Sequence, residues 1–470
     1  MSGFDWEQVA AAIGRTGSMY REYMEGLAER PVAPTVDRAM LRERFRGTLG
    51  DEGVGIDQVL DEIEEIVLPY TMSTAHPRYV GLVNSTPLPA APLADLIVSM
   101  LNNNGGAFHQ SPSATTAEEE VVRTFAELLH CNSDSTRGLL LPGGTFANQH
   151  GLLLARAKHF PQWRSKGPAA VQAPRLYTST AVHFSVTRTA QVIGIGEDNV
   201  VAVDTIGRGA IDVADLRRRV SADRDAGRQP FAVVATVGTT GTGAIDNVAA
   251  VAEVCREFSL WLHIDMCYGG AAALLPERAP HVAGIHLADS IAIDPHKWFF
   301  MPMTAGLALT KHPDVETAAF GLDVSYIPSG PEPEAFNRGL PTTRRSTGLT
   351  VWAALRAHGL ETIRAAVRRN IEQMRSLEAQ LAAAGFRILT GGELSIACAR
   401  FEPEGMEPAR IDELQREISE RVIASGTAWF SITHHEGETW LRFNAVNLHT
   451  KDAHIEQIAT AVIQAAQEAA

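Results

Sequence analysis

Cysteine is scarce in this sequence. The 470 residues contain only four, at widely separated positions: Cys131, Cys255, Cys267 and Cys398. No two of them form a CxxC pair, which argues against a structural zinc site and against a framework of disulfide bonds. Because isolated thiols are typical of a reducing compartment, we expect a cytoplasmic protein.

The sequence also lacks long apolar stretches and clusters of basic residues. No run approaches the ~20 apolar residues that a transmembrane helix requires, and the N-terminus, MSGFDWEQVAAAIG, has no signal-peptide pattern. The 41 lysines and arginines are outnumbered by 55 aspartates and glutamates, which gives a formal net charge of −14. This acidic balance makes nucleic acid and membrane surfaces unexpected partners, and it favours a small-molecule ligand.

What the sequence does contain is an alternation of short apolar runs with helical stretches. Continuous apolar runs, often β-branched, are typical of strands buried on both faces of a parallel sheet. Because amphipathic helices are predicted between them, the pattern indicates an α/β fold whose large domain is a three-layer α/β/α structure with a mainly parallel sheet. The predicted strands are 137–141, 231–237, 260–265 and 290–294, and two of the helices are 117–129 and 247–258.

Two smaller units flank this large domain. Residues 1–70 have helical apolar spacings and are predicted to form an N-terminal helical segment, and 71–350 form the large domain. A long helix at about 348–384 leads into a small C-terminal α+β domain, 351–470. Its strand candidates are 394–401, 427–435 and 440–446.

Lys297 directly follows an apolar strand candidate, in the segment SIAIDPHKW. Ligands of α/β proteins bind in the crevice outside the carboxyl ends of the parallel strands. A lysine there can be desolvated, which would lower its pKa and provide a neutral amine able to form an imine. The alternative, from these residues alone, is an ordinary surface lysine at the end of a strand.

Asp265 ends the preceding strand candidate, LWLHID, and His263 lies two residues before it. A carboxylate in this position can pair with the protonated ring nitrogen of a cofactor, or it can cap the following turn. Spacing of i, i+2 on a strand places both side chains on one face, so a metal site is a third possibility. No third ligand is evident in the sequence, and we therefore expect no metal.

Two other segments have the composition of ligand-binding turns. In LPGGTFAN, Gly143 and Gly144 precede a predicted helix, whose first N–H groups, with the Thr145 hydroxyl, can cradle a phosphate. An ordinary loop is the alternative. His183 either stacks on a flat cofactor ring or is a half-buried histidine with satisfied hydrogen bonds.

Nine segments together resemble the group II pyridoxal-5′-phosphate (PLP) dependent amino-acid decarboxylases of fold type I, which include aromatic-L-amino-acid, glutamate and tyrosine decarboxylases. They occur in the family's order and together cover nearly the whole chain. No single one of the ordinary structural alternatives given above explains all nine segments at once. The resemblance implies that PLP is the cofactor and that an L-amino acid is converted to an amine and CO2. The segments are RPVAP, HPRYVGL, SPSATTAEEE, PGGTFAN, HFSVTRTA, TVGTTGTGAID, LHIDMCYGG, DPHKWFF and TTRRSTGLTVWAALRAHG.

The resemblance also implies roles for individual residues. Lys297 would bind PLP through an imine, Asp265 would pair with the pyridine nitrogen, and His183 would stack on the ring. Cys267 stands where the family usually has alanine, on the opposite face of the ring. The other implied cofactor contacts are Gly143, Gly144, Thr145, Thr240, Asp294 and His296.

Tyr326, in FGLDVSYI, matches a loop tyrosine that in family members helps protonate the carbanionic carbon after CO2 leaves. Relatives with phenylalanine at this position release an aldehyde, so Tyr326 favours simple decarboxylation. The alternatives that remain open are a decarboxylative aldehyde synthase, a decarboxylase of an acidic amino acid, an aminotransferase or a carbon–carbon lyase. A non-catalytic PLP-binding protein and a zinc hydrolase are alternatives of other classes.

The expected substrate wall is smaller and more polar than the bulky aromatic wall of aromatic-specific relatives. No additional arginine or lysine marks it as glutamate-specific, so we expect an aromatic or other uncharged amino acid. The resemblance further implies a homodimer with shared active sites, in which the N-terminal helices clasp the partner. The predicted wall residues are Val83, Asn84, Ser85 and Thr86, with Phe108 and His109 reaching in from a partner subunit.

Overall fold

The structure, a computed structural model, describes residues 5–322 and 333–470. Its α-helices are, in chain order, α1 (Trp6–Glu25), α2 (Arg38–Phe45), α3 (Ile56–Glu62), α4 (Ala90–Leu101), α5 (Pro112–Leu128), α6 (Gly144–His159), α7 (Trp163–Lys166), α8 (Ser185–Val192), α9 (Val213–Asp225), α10 (Val248–Phe258), α11 (Pro313–Phe320), α12 (Thr347–Ala383), α13 (Pro408–Ala424) and α14 (Asp452–Ala469). Its β-strands are β1 (Arg137–Leu141), β2 (Pro174–Ser179), β3 (Val200–Val203), β4 (Thr205–Ile206), β5 (Ala210–Ile211), β6 (Gln229–Thr236), β7 (Trp261–Asp265), β8 (Ser290–Ile293), β9 (Gly306–Thr310), β10 (Phe386–Ile388), β11 (Ile396–Phe401), β12 (Ser431–His435) and β13 (Glu438–Asn444).

A seven-stranded sheet in the order β1-β9-β8-β7-β6-β2-β3 forms the centre of the molecule. Strands β3, β2, β6, β7 and β8 pair in parallel, whereas β9 is antiparallel to both of its neighbours, β8 and β1. The four strands predicted for this sheet are β1, β6, β7 and β8, and the α/β class with a mainly parallel sheet is confirmed.

Helices cover both faces of this sheet. Alternate strand residues point to opposite sides, and because both sets are apolar here, each face packs against helices. In β6, Val233 and Ala235 belong to one apolar cluster, together with residues of α5, α10 and α12. Their neighbours Ala232 and Val234 belong to another cluster, formed with α6 and α8. Burial of both faces explains why these strands are continuous apolar runs rather than alternating ones.

The C-terminal part of the chain forms a second, four-stranded sheet in the order β10-β11-β13-β12, with antiparallel pairing throughout. The three predicted strand candidates correspond to β11, β12 and β13. Residues of this sheet, of α13 and α14 and of the end of α12 share one apolar cluster. At the other end of the chain, the N-terminal segment is helical as predicted, with α1, α2 and α3. None of the described helices is both long and apolar enough to cross a membrane.

The predicted long helix at about 348–384 contains a break. Gly359, within α12, has φ 73° and ψ 156°, so two helices meet there at a kink. This conformation is almost exclusive to glycine, because a Cβ would clash with the backbone. Apolar spacing on either side of the glycine is compatible with one helix, which is why the sequence pattern did not reveal the break.

Gly359→Ala should lower the free energy of unfolding by about 1–3 kcal/mol, the usual strain of a non-glycine residue in this region. No atom lies within 4 Å of the position that the added Cβ would occupy, so backbone strain is the expected cause. Denaturant unfolding measures the change. The matched control is Gly14→Ala in the regular helix α1, also in open space, which should be neutral or stabilising by up to about 1 kcal/mol. Equal effects of the two substitutions would contradict the assignment of strain to Gly359.

Candidate active site

Three charged side chains meet at the carboxyl ends of neighbouring parallel strands. Asp265 is the last residue of β7, and Asp294 and Lys297 follow β8. The Lys297 Nζ lies 2.9 Å from Asp294 Oδ2. Both carboxylates are buried, whereas Asp294 Oδ1 has no hydrogen-bond partner among the described residues. A buried acceptor of this kind indicates a place where a ligand would complete the site.

The expectation that the pKa of Lys297 is lowered is wrong. Burial alone would lower it, but the carboxylates of Asp294 and Asp265 act in the opposite direction and hold the pKa of Lys297 above its ordinary value. The largest opposing contribution comes from Asp294, whose carboxylate contacts the ammonium directly, and the sheet brings a second carboxylate, Asp265, from a different strand. At neutral pH the free lysine is therefore an ammonium, and it must lose a proton before it can attack a carbonyl.

Asp265 remains a carboxylate although it is buried. Burial alone would raise its pKa, but the Lys297 charge and two hydrogen bonds outweigh burial and hold the pKa of Asp265 below its ordinary value. The backbone N–H of Cys267 donates to Oδ1 at 3.1 Å, and Asn148 Nδ2 donates to Oδ2 at 2.9 Å. A buried, oriented anion at this point can pair with a cationic ring nitrogen.

The glycine turn between β1 and α6 lies against the same group of residues. Gly143 has φ 98°, and Gly144 is the first residue of α6, whose first N–H groups have no acceptor within the helix. A Cβ on Gly144 would lie 2.5 Å from both Asp294 Oδ2 and Cys267 Sγ, so only glycine fits. The turn therefore presents a helix N-terminus, suited to an anion such as phosphate, beside Lys297.

His183 is half-buried at the edge of the site. Its Nδ1 lies 2.8 Å from Ser185 Oγ, and burial lowers its pKa, which nearby charges only partly offset. The ring is therefore neutral at pH 7. A neutral, flat imidazole can pack on an aromatic ring without introducing a charge.

Of the other residues predicted for the site, only some lie in contact with the segment that carries Lys297. Ser85 Oγ donates to the His296 carbonyl at 3.0 Å, which places the predicted substrate wall beside the lysine segment. Thr145, Thr240, Phe108 and His109 are exposed, and no described hydrogen bond joins them to Lys297. Val83 and Asn84 are half-buried, and Thr86 is buried. Tyr326 lies outside the described residues.

Sequence reasoning missed the hydrogen-bonded residues behind Asp265. Asn148 was noted only as the end of the glycine motif, yet it contacts Asp265, Ser185 and His263. Both ring nitrogens of His263 have hydrogen-bond partners, Asn148 Oδ1 at 2.9 Å and Ser290 Oγ at 2.8 Å. The signal in the sequence that could have revealed this network is His263, a polar residue inside the otherwise apolar strand β7. Across residues 5–322 and 333–470, no group of three or more His, Cys, Asp or Glu could hold a metal ion.

The model of the pyridoxal-dependent decarboxylase conserved domain matches residues 40–401, more than half of the chain. This chain belongs to that family. It is a PLP-dependent carboxy-lyase family, so PLP is the cofactor that the site must accommodate. The expectation of a pyridoxal-phosphate decarboxylase is thereby confirmed.

Three relatives show how broad this family is. An aromatic-L-amino-acid decarboxylase of Bacillus atrophaeus is 27% identical over 95% of this chain and 93% of its own length. An L-aspartate decarboxylase of Metarhizium robertsii is 31% identical over 68% of this chain and 63% of its own length. The crystal structure of the 4-hydroxyphenylacetaldehyde synthase of Rhodiola rosea is similar with a TM-score of 0.91 at 25% identity, covering 99% of each chain.

The residues present fit PLP. Asp265 offers a buried anion for the ring nitrogen, Lys297 an amine for the aldehyde, and the Gly143–Gly144 turn a helix N-terminus for the phosphate. His296 lies next to that turn, since a Cβ on Gly143 would be 3.5 Å from its Cε1. The burial of Cys267 raises the pKa of its thiol well above the ordinary value, so this side chain adds no charge to the site.

Gly144→Ala should weaken PLP binding by about tenfold, because the added methyl group must displace Asp294 or Cys267. Equilibrium dialysis of PLP against the purified protein measures the change. Gly50→Ala is the control, since a Cβ on Gly50 meets no atom within 4 Å. Unchanged affinity in Gly144→Ala would show that the turn does not lie against the cofactor.

Proposed function

We propose that this protein converts an aromatic or other uncharged L-amino acid to the corresponding amine and CO2. The observation that carries the proposal is the half-buried Lys297 beside the buried Asp294 and Asp265 in a chain of the pyridoxal-dependent decarboxylase family. When bound, PLP supplies the electron sink that accepts the electron pair left on Cα.

The side chains have distinct tasks in this proposal. Asp265 keeps a negative charge next to the ring nitrogen, so that nitrogen stays protonated and the sink stays strong. Lys297 holds the cofactor before the substrate enters and recovers it after the product forms. His183 packs on the ring, and Gly143, Gly144, Thr145, Thr240 and His296 hold the phosphate and its surroundings.

Tyr326 is the proposed donor of the proton that Cα receives after CO2 leaves. Support for this role is the match of its sequence segment to the family's loop. A hydroxyl at this point favours amine as the product, whereas its loss would leave the carbon that has lost CO2 open to oxidation by dioxygen, with aldehyde, ammonia and hydrogen peroxide as the products. The second candidate reaction is therefore decarboxylative aldehyde synthesis, the activity in the name of the Rhodiola rosea relative.

Arg442 favours a second candidate substrate class, an acidic amino acid. This buried guanidinium donates to backbone carbonyls of Gly81 at 2.6 Å and of Thr240 at 2.9 Å, between the predicted substrate wall and the predicted cofactor loop. Its Nη2 has no hydrogen-bond partner, and no salt bridge joins it to a carboxylate among the described residues. A carboxylate on the substrate side chain would accept a hydrogen bond from Nη2 and would also neutralise the buried positive charge. The Metarhizium robertsii relative, by its name, acts on L-aspartate.

Product analysis over the proteinogenic amino acids tests the reaction and the substrate class. We expect stoichiometric amine and CO2, without ammonia or hydrogen peroxide, and the highest kcat/KM for aromatic or uncharged substrates. Tyr326→Phe should divert turnover towards aldehyde and ammonia, with Tyr20→Phe on α1 as a tyrosine control. A clear preference for aspartate or glutamate would instead support the acidic class, and unchanged amine yield in Tyr326→Phe would rule out Tyr326 as the donor.

We also propose a cytoplasmic homodimer with shared active sites, built from the N-terminal segment 1–70, the large domain 71–350 and the C-terminal domain 351–470. Helix α4 supports the dimer because it exposes an apolar face, with Leu93 63% and Met100 70% accessible in the single chain. Leu96, Ile97 and Leu101 on the same helix are also exposed. An apolar face of this size is typical of a surface that another subunit covers. Phe108, exposed as well, lies shortly after this helix and would reach the partner's site.

The double substitution Leu93→Glu and Met100→Glu should convert the dimer to a monomer, because two charges would be buried in the interface. Sedimentation velocity measures the change in mass. Ile206→Glu on β4, at a position that is 57% exposed, is the control and should leave the mass unchanged. A wild-type protein that sediments as a monomer would contradict the proposal.

A further inference from the structure

A chain of buried hydrogen bonds runs through the protein behind Asp265. It begins at Trp261, whose Nε1 donates to Ser290 Oγ at 2.8 Å. Ser290 Oγ lies 2.8 Å from His263 Nδ1, and His263 Nε2 lies 2.9 Å from Asn148 Oδ1. Asn148 Nδ2 then donates to Asp265 Oδ2. Trp261, Ser290 and His263 are all at most 2% exposed, so water does not compete for these bonds.

The direction of every bond in this chain is fixed by its two ends. The indole N–H of Trp261 can only donate, and the ionised Asp265 can only accept. Asn148 must therefore direct its NH2 group at Asp265 and its oxygen at His263, which in turn must carry its proton on Nε2. Ser290 completes the arrangement by donating its hydroxyl proton to Nδ1. Burial lowers the pKa of His263 to about 4, so the ring is neutral and this single tautomer is retained.

The same amide also reaches the histidine on the other side of the site. The second N–H of Asn148 donates to Ser185 Oγ at 3.2 Å, and that hydroxyl contacts His183 Nδ1. One amide orientation therefore sets the partners of both Asp265 and His183. If the amide turned over, its oxygen would face the Asp265 carboxylate, and two acceptors would repel each other in a region of low dielectric.

Helix α6 is shaped to admit the His263 ring. A Cβ on Gly151 would lie 2.3 Å from His263 Nδ1 and 2.8 Å from Ser290 Oγ. Asn148 lies one turn earlier on the same helix, so the glycine gives the ring access to Asn148 and Ser290 at once. The packing of α6 against β7 and β8 thus depends on a glycine that faces this particular histidine.

We propose that His263, held by Ser290 and Trp261, is a positioning residue that locks the Asn148 amide and so keeps Asp265 charged and aimed at the cofactor. This inference rests on the proposed role of Asp265 as the partner of the cofactor's ring nitrogen. His263 does not touch the cofactor in this account. It acts through Asn148, by preventing the amide from turning.

The test compares His263→Leu, which cannot donate to Asn148, with His263→Gln, whose amide N–H can take the place of Nε2–H. The affinity of the purified protein for PLP is measured by equilibrium dialysis over a range of pH. In His263→Leu we expect affinity at neutral pH to fall at least about tenfold, because an Asn148 amide that is free to turn no longer keeps its hydrogen bond to the charged Asp265. His263→Gln should stay within about threefold of wild type if donation is what matters.

The pH profile separates positioning from simple structural support. Without its fixed donor, Asp265 should be protonated more readily, so His263→Leu should release PLP at a higher pH than wild type on acidification. Ser290→Ala, a smaller change, should shift the release in the same direction. Tyr177→Phe is the matched control, because it removes a buried hydroxyl on β2 that donates to Asp223 of helix α9 at 2.7 Å. It should lower the melting temperature without moving the release pH.

Each outcome decides the proposal. A His263→Leu protein that binds PLP as wild type does, with the same release pH, overturns it. So does a His263→Gln protein that loses as much affinity as His263→Leu. If His263→Leu does not fold, the release pH of Ser290→Ala carries the same decision. A wild-type protein that binds no PLP would contradict the proposed function itself, which is a separate failure.

Discussion

Two buried carboxylates face a single ammonium at the centre of this protein. Asp294 and Asp265 both lie within the influence of Lys297, and together they raise its pKa although burial opposes this. The site therefore holds a surplus of negative charge, which is costly to bury without a cationic partner. A protonated ring nitrogen at Asp265 would supply that partner. The glycine turn lies against Asp294, and the hydrogen-bond network behind Asp265 contacts its carboxylate.

The hydrogen bonds around Asp265 explain how a buried carboxylate remains ionised. The Cys267 N–H and the Asn148 amide provide two fixed donors, and the amide is fixed in turn by His263. Preorganised donors of this type do not need to reorient when the charge on the cofactor changes. These fixed donors lie behind the Asp265 carboxylate, in the network that includes Asn148 and His263.

Much of this could be predicted from the sequence, for identifiable reasons. Strands such as β1 and β8 are short apolar runs beside polar turns, and the residues at their ends, including Lys297, therefore fall at one edge of the sheet. The pKa of Lys297 was predicted with the wrong sign, because the larger contribution, from Asp294, requires direct contact between the two side chains, and that of Asp265 depends on strand pairing. The kink at Gly359 and the role of Asn148 were missed because they depend on backbone conformation and on contacts between distant residues. The substrate class remains a proposal, because the buried Arg442 favours an acidic amino acid, whereas the predicted substrate wall at 83–86 carries no charge and favours an uncharged one.

The central claim is that Lys297 is the residue that binds PLP covalently. Borohydride reduction of the yellow holoenzyme, followed by peptide mapping, tests it directly, because the chain offers four other lysines for comparison: Lys158, Lys166, Lys311 and Lys451. The account predicts a pyridoxyl group on Lys297 and on none of the other four. A Lys297 that remains unmodified after reduction would contradict it.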